Sequence, residues 1–134
     1  KVTGPDIESK LKEAGERVNP GEALLIATGY NFLEDPGFKK TPHFRYDAVE
    51  WAVQHRCAIL GSDIGAWQDP DEKPSFFPMF LKSGILLLAP MVNVDKIPVA
   101  RIKLIVMPLK VHGVCAFPSR VTGIVPGKQA HQDH

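Results

Sequence analysis

Apolar residues along the chain arrive in short blocks that alternate with stretches of helical period. Ile7, Leu11 and Ala14 form a short stripe behind Thr3-Gly4-Pro5-Asp6, which predicts a helix with a polar cap, an early Pro and a terminating Gly15. Asn19-Pro20-Gly21 reads as a turn, and the apolar block from Ala23 to Ala27 as a strand stopped by Thr28-Gly29. Residues 31–44, with Pro36, Gly37 and Pro42, read as a long loop of the kind that carries function. From Tyr46 to His55, Ala48, Val49, Ala52 and Val53 share one helical face opposite Glu50 and Gln54. A strand from Cys57 to Gly61 follows, ending at Ser62-Asp63, then a polar loop from Gln68 to Pro74. Ser75 to Lys82 reads as a short helix in which Pro78 fits only an early turn. Ile85 to Leu88 is uninterrupted hydrophobe and predicts a strand buried on both faces. Strands at Ile102–Met107 and Arg120–Val125 close the pattern without intervening helices. The expected fold is α/β, a mixed sheet with flanking helices.

Length bounds the organisation. The 134 residues fit one domain, read as 1–125 with a flexible tail at 126–134. A net charge of +1 argues against a nucleic-acid-binding surface, and no apolar run is long enough for a membrane-spanning helix. Cys57 and Cys115 are widely separated, make no C-x-x-C pair, and read as two buried free thiols. The chain starts at Lys1 without an initiator Met or a signal-like segment, so the expectation is a cytoplasmic protein, and a piece cut from a longer chain is compatible with that start.

The familiar catalytic signatures G-x-S-x-G, H-E-x-x-H and G-x-G-x-x-G are missing. Of the five histidines, His131 and His134 fall in the tail, and none forms a helical ligand pair. His43, beside Phe44, Arg45 and Tyr46, is either a proton carrier in a functional loop or an exposed residue ahead of a helix. Asp63, ending an apolar strand, is either a ligand-facing carboxylate or the side chain of a turn. Phe76, Phe77 and Phe80 either wall an apolar pocket or pack in the core. Arg120, inside a strand, needs a carboxylate or a ligand if it is buried.

The order of four segments adds to this. Residues 20–30 (PGEALLIATGY), 47–63 (DAVEWAVQHRCAILGSD), 82–97 (KSGILLLAPMVNVDKI) and 103–113 (KLIVMPLKVHG), closed by Pro118-Ser119-Arg120, together resemble the cyclase family that includes bacterial kynurenine formamidase and isatin hydrolase. The resemblance runs from Gly4 to Val125 and implies the C-terminal half of the family's β/β/α fold. Family members are about twice as long, and their first half carries the metal motif H-x-G-T-H-x-D, which this chain lacks. Aligned on Gly84, Phe77 and Ala89 stand where the family's hydrolases have a metal-binding His and Glu, and residues 75–90 contain no His, Asp or Glu in any register.

The resemblance therefore implies a subunit or fragment of an enzyme acting on a small ring-bearing substrate, by amide- or lactam-type hydrolysis, cyclisation or rearrangement. The expected catalytic residues are His43, Tyr46 and Asp63, with Arg120 for a substrate carboxylate and Phe76, Phe77, Phe80 and Ala89 around an apolar pocket. No metal is expected on this chain; zinc or manganese enters only if a partner chain supplies the ligands. The expected partner is a second polypeptide carrying the family's N-terminal half, within a higher oligomer. The other reading is a non-catalytic binding or scaffold subunit that has lost the metal site.

Overall fold

The structure, a computed structural model, describes residues 1–127, so His131, His134 and most of the expected tail lie outside the described residues. The chain divides into two compact units, Lys1–Lys96 and Ile97–His134. The first contains helix α1 (Gly4–Glu13), strand β1 (Ala23–Ile26), helix α2 (Tyr46–Gln54), strand β2 (Ile59–Ser62), helix α3 (Phe77–Ser83), strand β3 (Leu86–Leu88) and a 3-10 turn at Val94–Lys96. The second contains strands β4 (Lys103–Pro108) and β5 (Ser119–Ile124).

Local chemistry explains the helix boundaries. The Thr3 hydroxyl accepts from the Asp6 amide (3.2 Å) while the Asp6 carboxylate accepts from the Thr3 amide (2.8 Å), a reciprocal capping box, and the Thr3 hydroxyl's own donation to that carboxylate (2.6 Å), then the Thr3 amide's, hold the Asp6 carboxyl below its usual range. Pro5 occupies the first turn, where its missing amide costs nothing. The N-cap of helix α2 is Arg45, whose side chain makes no capping bond, and the acceptor comes from elsewhere: the Tyr46 amide donates to Glu72 Oε1 at 3.1 Å. Helix α3 begins two residues later than expected, at Phe77, so that Pro78 falls in the first turn. It ends at Gly84 with φ 79°, the left-handed conformation that glycine adopts without penalty, and the chain turns straight into β3.

The three strands β1, β2 and β3 are parallel in that order, with Leu24 paired to Leu60 and Leu60 to Leu87. Strands β4 and β5 pair antiparallel, Lys103 opposite Ile124. The α/β class is as expected, and its parallel and antiparallel strands are parted into two sheets where one mixed sheet was anticipated. Ile7 of α1, Ala48, Val49 and Ala52 of α2 and Phe80 of α3 close with Leu24 and Leu60 into one core. All three helices therefore cover the Leu24–Leu60 face. The face carrying Ala23, Leu25, Ile59, Gly61, Leu86 and Leu88 receives none of them.

Two expectations are corrected. Strand β3 is not buried on both faces: Leu86 is 65% and Leu87 46% exposed, because β3 is an edge strand. Both cysteines are free, yet only Cys57 is buried, which pushes its thiol pKa up, while Cys115 is exposed in the loop between β4 and β5. Among the described residues no helix is long and apolar enough to cross a membrane.

The contrast between the leucines is measurable. Leu60 is fully buried in the central strand, so Leu60→Ala should lower unfolding free energy by about 2–5 kcal/mol in a denaturant titration. Leu86→Ala, at an exposed position, should change it by roughly 0.5 kcal/mol or less.

Candidate functional site

Topology concentrates the chemistry at one end of the first unit. Helices α2 and α3 each link two parallel strands, so each begins at the end where the strands finish. Helix α1 joins them there, because Val2 donates to the His43 carbonyl and accepts from the Arg45 amide, both at 2.8 Å. Val2, Phe44 and Gln68 thus form two successive parallel bridges at the helix N-termini. His43 and Tyr46 at the start of α2, Asp63 after β2, Phe76 and Phe77 at the start of α3, and Ala89 after β3 all lie at this end.

Asp63 is buried and fully engaged. Its carboxylate accepts from the Thr28 hydroxyl (2.7 Å), from the Thr28 amide (3.0 and 2.9 Å to its two oxygens) and from the Gly29 amide (2.9 Å). Beside it the Ser62 hydroxyl donates to the Ile26 carbonyl at 2.8 Å. These bonds fasten the loop after β1 to the end of β2. Thr28-Gly29, read from sequence as a strand stop alone, is the partner that makes this possible.

The same loop is held at three more points on Gly65 and Ala66. Thr41 Oγ1 accepts from the Gly65 and Ala66 amides at 3.2 and 3.4 Å. The Phe38 ring lies on Gly65 so closely that a Cβ there would stand 2.2 Å from it. His43 then donates from Nδ1 to the Ala66 carbonyl at 2.8 Å, since a carbonyl can only accept. This fixes the tautomer when the ring is neutral and leaves Nε2 with its lone pair, the arrangement of a proton acceptor.

Two acids in residues 68–74, which the sequence suggested only as a polar loop, are buried here. Glu72 accepts the Tyr46 amide and pairs with Arg45 Nε at 3.2 Å, while its Oε2 is buried without a hydrogen-bond partner among the described residues. Trp67 Nε1 is buried in the same condition, its ring packed 4.7 Å from Phe44. Asp69 pairs with Lys1 and accepts the Asp71 amide at 3.0 Å. Those contacts, Lys1 first, hold its carboxyl below the usual range, with the nearby His43 adding a smaller pull in the same direction. The three acids of Asp69-Pro70-Asp71-Glu72 were the available signal.

The expected site residues thus share one end of the sheet without forming one hydrogen-bonded group: His43 is tied to Ala66, the Tyr46 amide to Glu72, and Asp63 to Thr28 and Gly29. Phe76 and Phe80 are closed inside the core, whereas Phe77 and Ala89 are half-buried against it. Arg120 is separate. It sits exposed on β5 in the second unit, opposite Met107, so the burial that would have demanded a carboxylate or ligand is not there. Among the described residues no three His, Cys, Asp or Glu side chains stand together as a metal-binding group.

The family model "Putative cyclase" matches residues 1–69. Among solved structures, that of a potential metal-dependent hydrolase with cyclase activity is similar to this chain with a TM-score of 0.72 at 22% sequence identity. The match covers 90% of this chain and 56% of that one, so this chain spans little more than half of that structure's length. At this identity the likeness is one of fold. No curated protein matches.

Asp69 offers a pH test of the network. Its lowered pKa means that the folded state favours the ionised form, so the stabilisation is complete above the ordinary value of about 3.9 and disappears as pH falls through the folded value. Melting temperatures of the native protein and Asp69→Asn should differ near neutral pH and converge in strong acid.

Proposed function

Because the chain belongs to the cyclase family, we propose that it is the C-terminal half of an enzyme of the kynurenine formamidase and isatin hydrolase type, completed by a polypeptide carrying the family's N-terminal half. Its substrate is a small ring-bearing compound, and its reaction is hydrolysis of an amide- or lactam-type bond, or a ring closure or rearrangement. The observation that carries this reading is the pair of coverages: nearly all of this chain is accounted for by just over half of a structure of the same fold. Buried Glu72 Oε2 and Trp67 Nε1, unpartnered among the described residues, support it further, since an unmet buried polar atom costs about 1–3 kcal/mol until something pairs with it.

In this reading His43 acts as general base through Nε2, oriented by its Nδ1 bond to Ala66. Tyr46, at the N-terminal turn of α2 and half-buried against the core, serves as a hydrogen-bonding group to substrate. Asp63 works at one remove, because its oxygens are already committed to holding the loop that carries His43. Phe77 and Ala89 supply apolar wall. A dry wall strengthens the hydrogen bonds that the polar groups make to a bound substrate.

The residues present do not fit a metal ion held by this chain alone: the family's His and Glu positions are Phe77 and Ala89, and neither offers a donor. A zinc or manganese ion would need its ligands from the other half. The engagement of every Asp63 oxygen also favours a second reading, a non-catalytic binding subunit.

Turnover separates the two. The isolated assembly should hydrolyse N-formylkynurenine or isatin, and His43→Ala should lower the rate by about 10²–10⁴-fold while melting falls only by the loss of one hydrogen bond, about 1 kcal/mol. An assembly that binds these compounds without converting either would favour the binding subunit. A second expectation concerns the wall. Phe77→His combined with Ala89→Glu should bring neither zinc in elemental analysis nor new hydrolysis, and should lower stability through an unpaired carboxylate. Gain of both zinc and activity would show instead that the site is a lightly edited hydrolase.

A further inference from the structure

Strand β1 has one edge on β2 and the other open. Glu22 and Ile26 turn their carbonyls toward β2, where they accept from the Ala58 amide and the Ser62 hydroxyl at 2.8 Å each. Alternation along the strand then turns the amides and carbonyls of Ala23, Leu25 and Ala27 to the opposite side, and no strand pairs with them among the described residues. The open edge forms one wall of a cleft of about 520 Å³, with Ile7, Lys10 and Leu11 of α1 on the other wall and residues 24–28 along the strand.

The charged side chains of the cleft are already occupied. Lys1 pairs with Asp69, Asp6 belongs to the capping box with Thr3, and Lys10 pairs with Glu13 at 2.7 Å. What the cleft offers is apolar surface and a row of backbone donors and acceptors, which suits an extended polypeptide with apolar side chains better than a small charged molecule. The sheet beside it carries no helix on its opposite face, where Leu86 is 65% exposed although Met91 lies over Gly61, and parallel sheets ordinarily have helices on both faces.

The geometry points to the open edge of β1 as the docking line of the missing half: an extended segment of the polypeptide that completes the fold pairs with Leu25 and Ala27 and lays apolar side chains into the α1–β1 cleft. This rests on the proposed half-enzyme reading, and on the portion of the similar structure that this chain does not span. The segment adds a fourth strand to the parallel sheet and removes one of its two edges.

The test uses the natural assembly, isolated through a tag on this chain. Native mass spectrometry first identifies its polypeptides; absence of any carrying the family's other half overturns the half-enzyme reading and the docking line with it. With that half present, hydrogen exchange should show the Leu25 and Ala27 amides protected by a factor of about 10² or more over unstructured-peptide rates. A photo-crosslinking amino acid placed at Ala27 should join a peptide of that half. Exchange of both amides within about tenfold of the unstructured rate in the intact assembly would overturn the docking line while leaving the half-enzyme reading standing. So would a crosslink to β1 of a second copy of this chain.

Discussion

The bond network around the Asp63 carboxylate holds together the end of the sheet at which the useful side chains of the first unit collect. Four interactions from Thr28 and Gly29 converge on two oxygens, so the loop leaving β1 cannot move away from the end of β2 without stranding a buried charge. Everything the loop carries inherits that anchor: Thr41 on Gly65 and Ala66, Phe38 on Gly65, and His43 on Ala66. Asp63 is thereby a positioning group, and in the proposed reading His43, its Nδ1 committed to the Ala66 carbonyl, is the group left for proton transfer.

A second constraint is the one-sidedness of the parallel sheet. Its helices cover only the face of Leu24 and Leu60, while Leu86 and the outer edge of β1 are open. Such surface is costly to leave in water and invites pairing. The open edge, the face without helices and the Glu72 and Trp67 atoms that lack partners among the described residues have a common explanation if the cyclase-family fold is shared between this chain and another segment.

Features set by neighbouring residues were legible in the sequence. The Thr3–Asp6 cap, the stop at Gly15, the Ala48–Val49–Ala52 face and the early-turn placement of Pro78 all depend on spacing within a turn or two. Features set by distant residues were not. Glu72 caps a helix 26 residues earlier, and the run of acids in its loop does not say which of them is buried or what it holds. Asp63 could be suspected from its place at a strand end, yet its engagement by Thr28, 35 residues away, decides what it does. Ile85 to Leu88 reads the same whether covered or bare, because an apolar run does not say what lies over it. Arg120 likewise reads the same on an exposed strand as on a buried one.

The claim on which the account depends is that this chain is one part of a divided cyclase-family fold. The most direct measurement is the native mass of the assembly isolated from its source. The account predicts the 14.8 kDa chain in stable association with a polypeptide carrying the family's N-terminal half, in equal copy numbers. A fully folded, monomeric 14.8 kDa species that retains turnover by itself would contradict it.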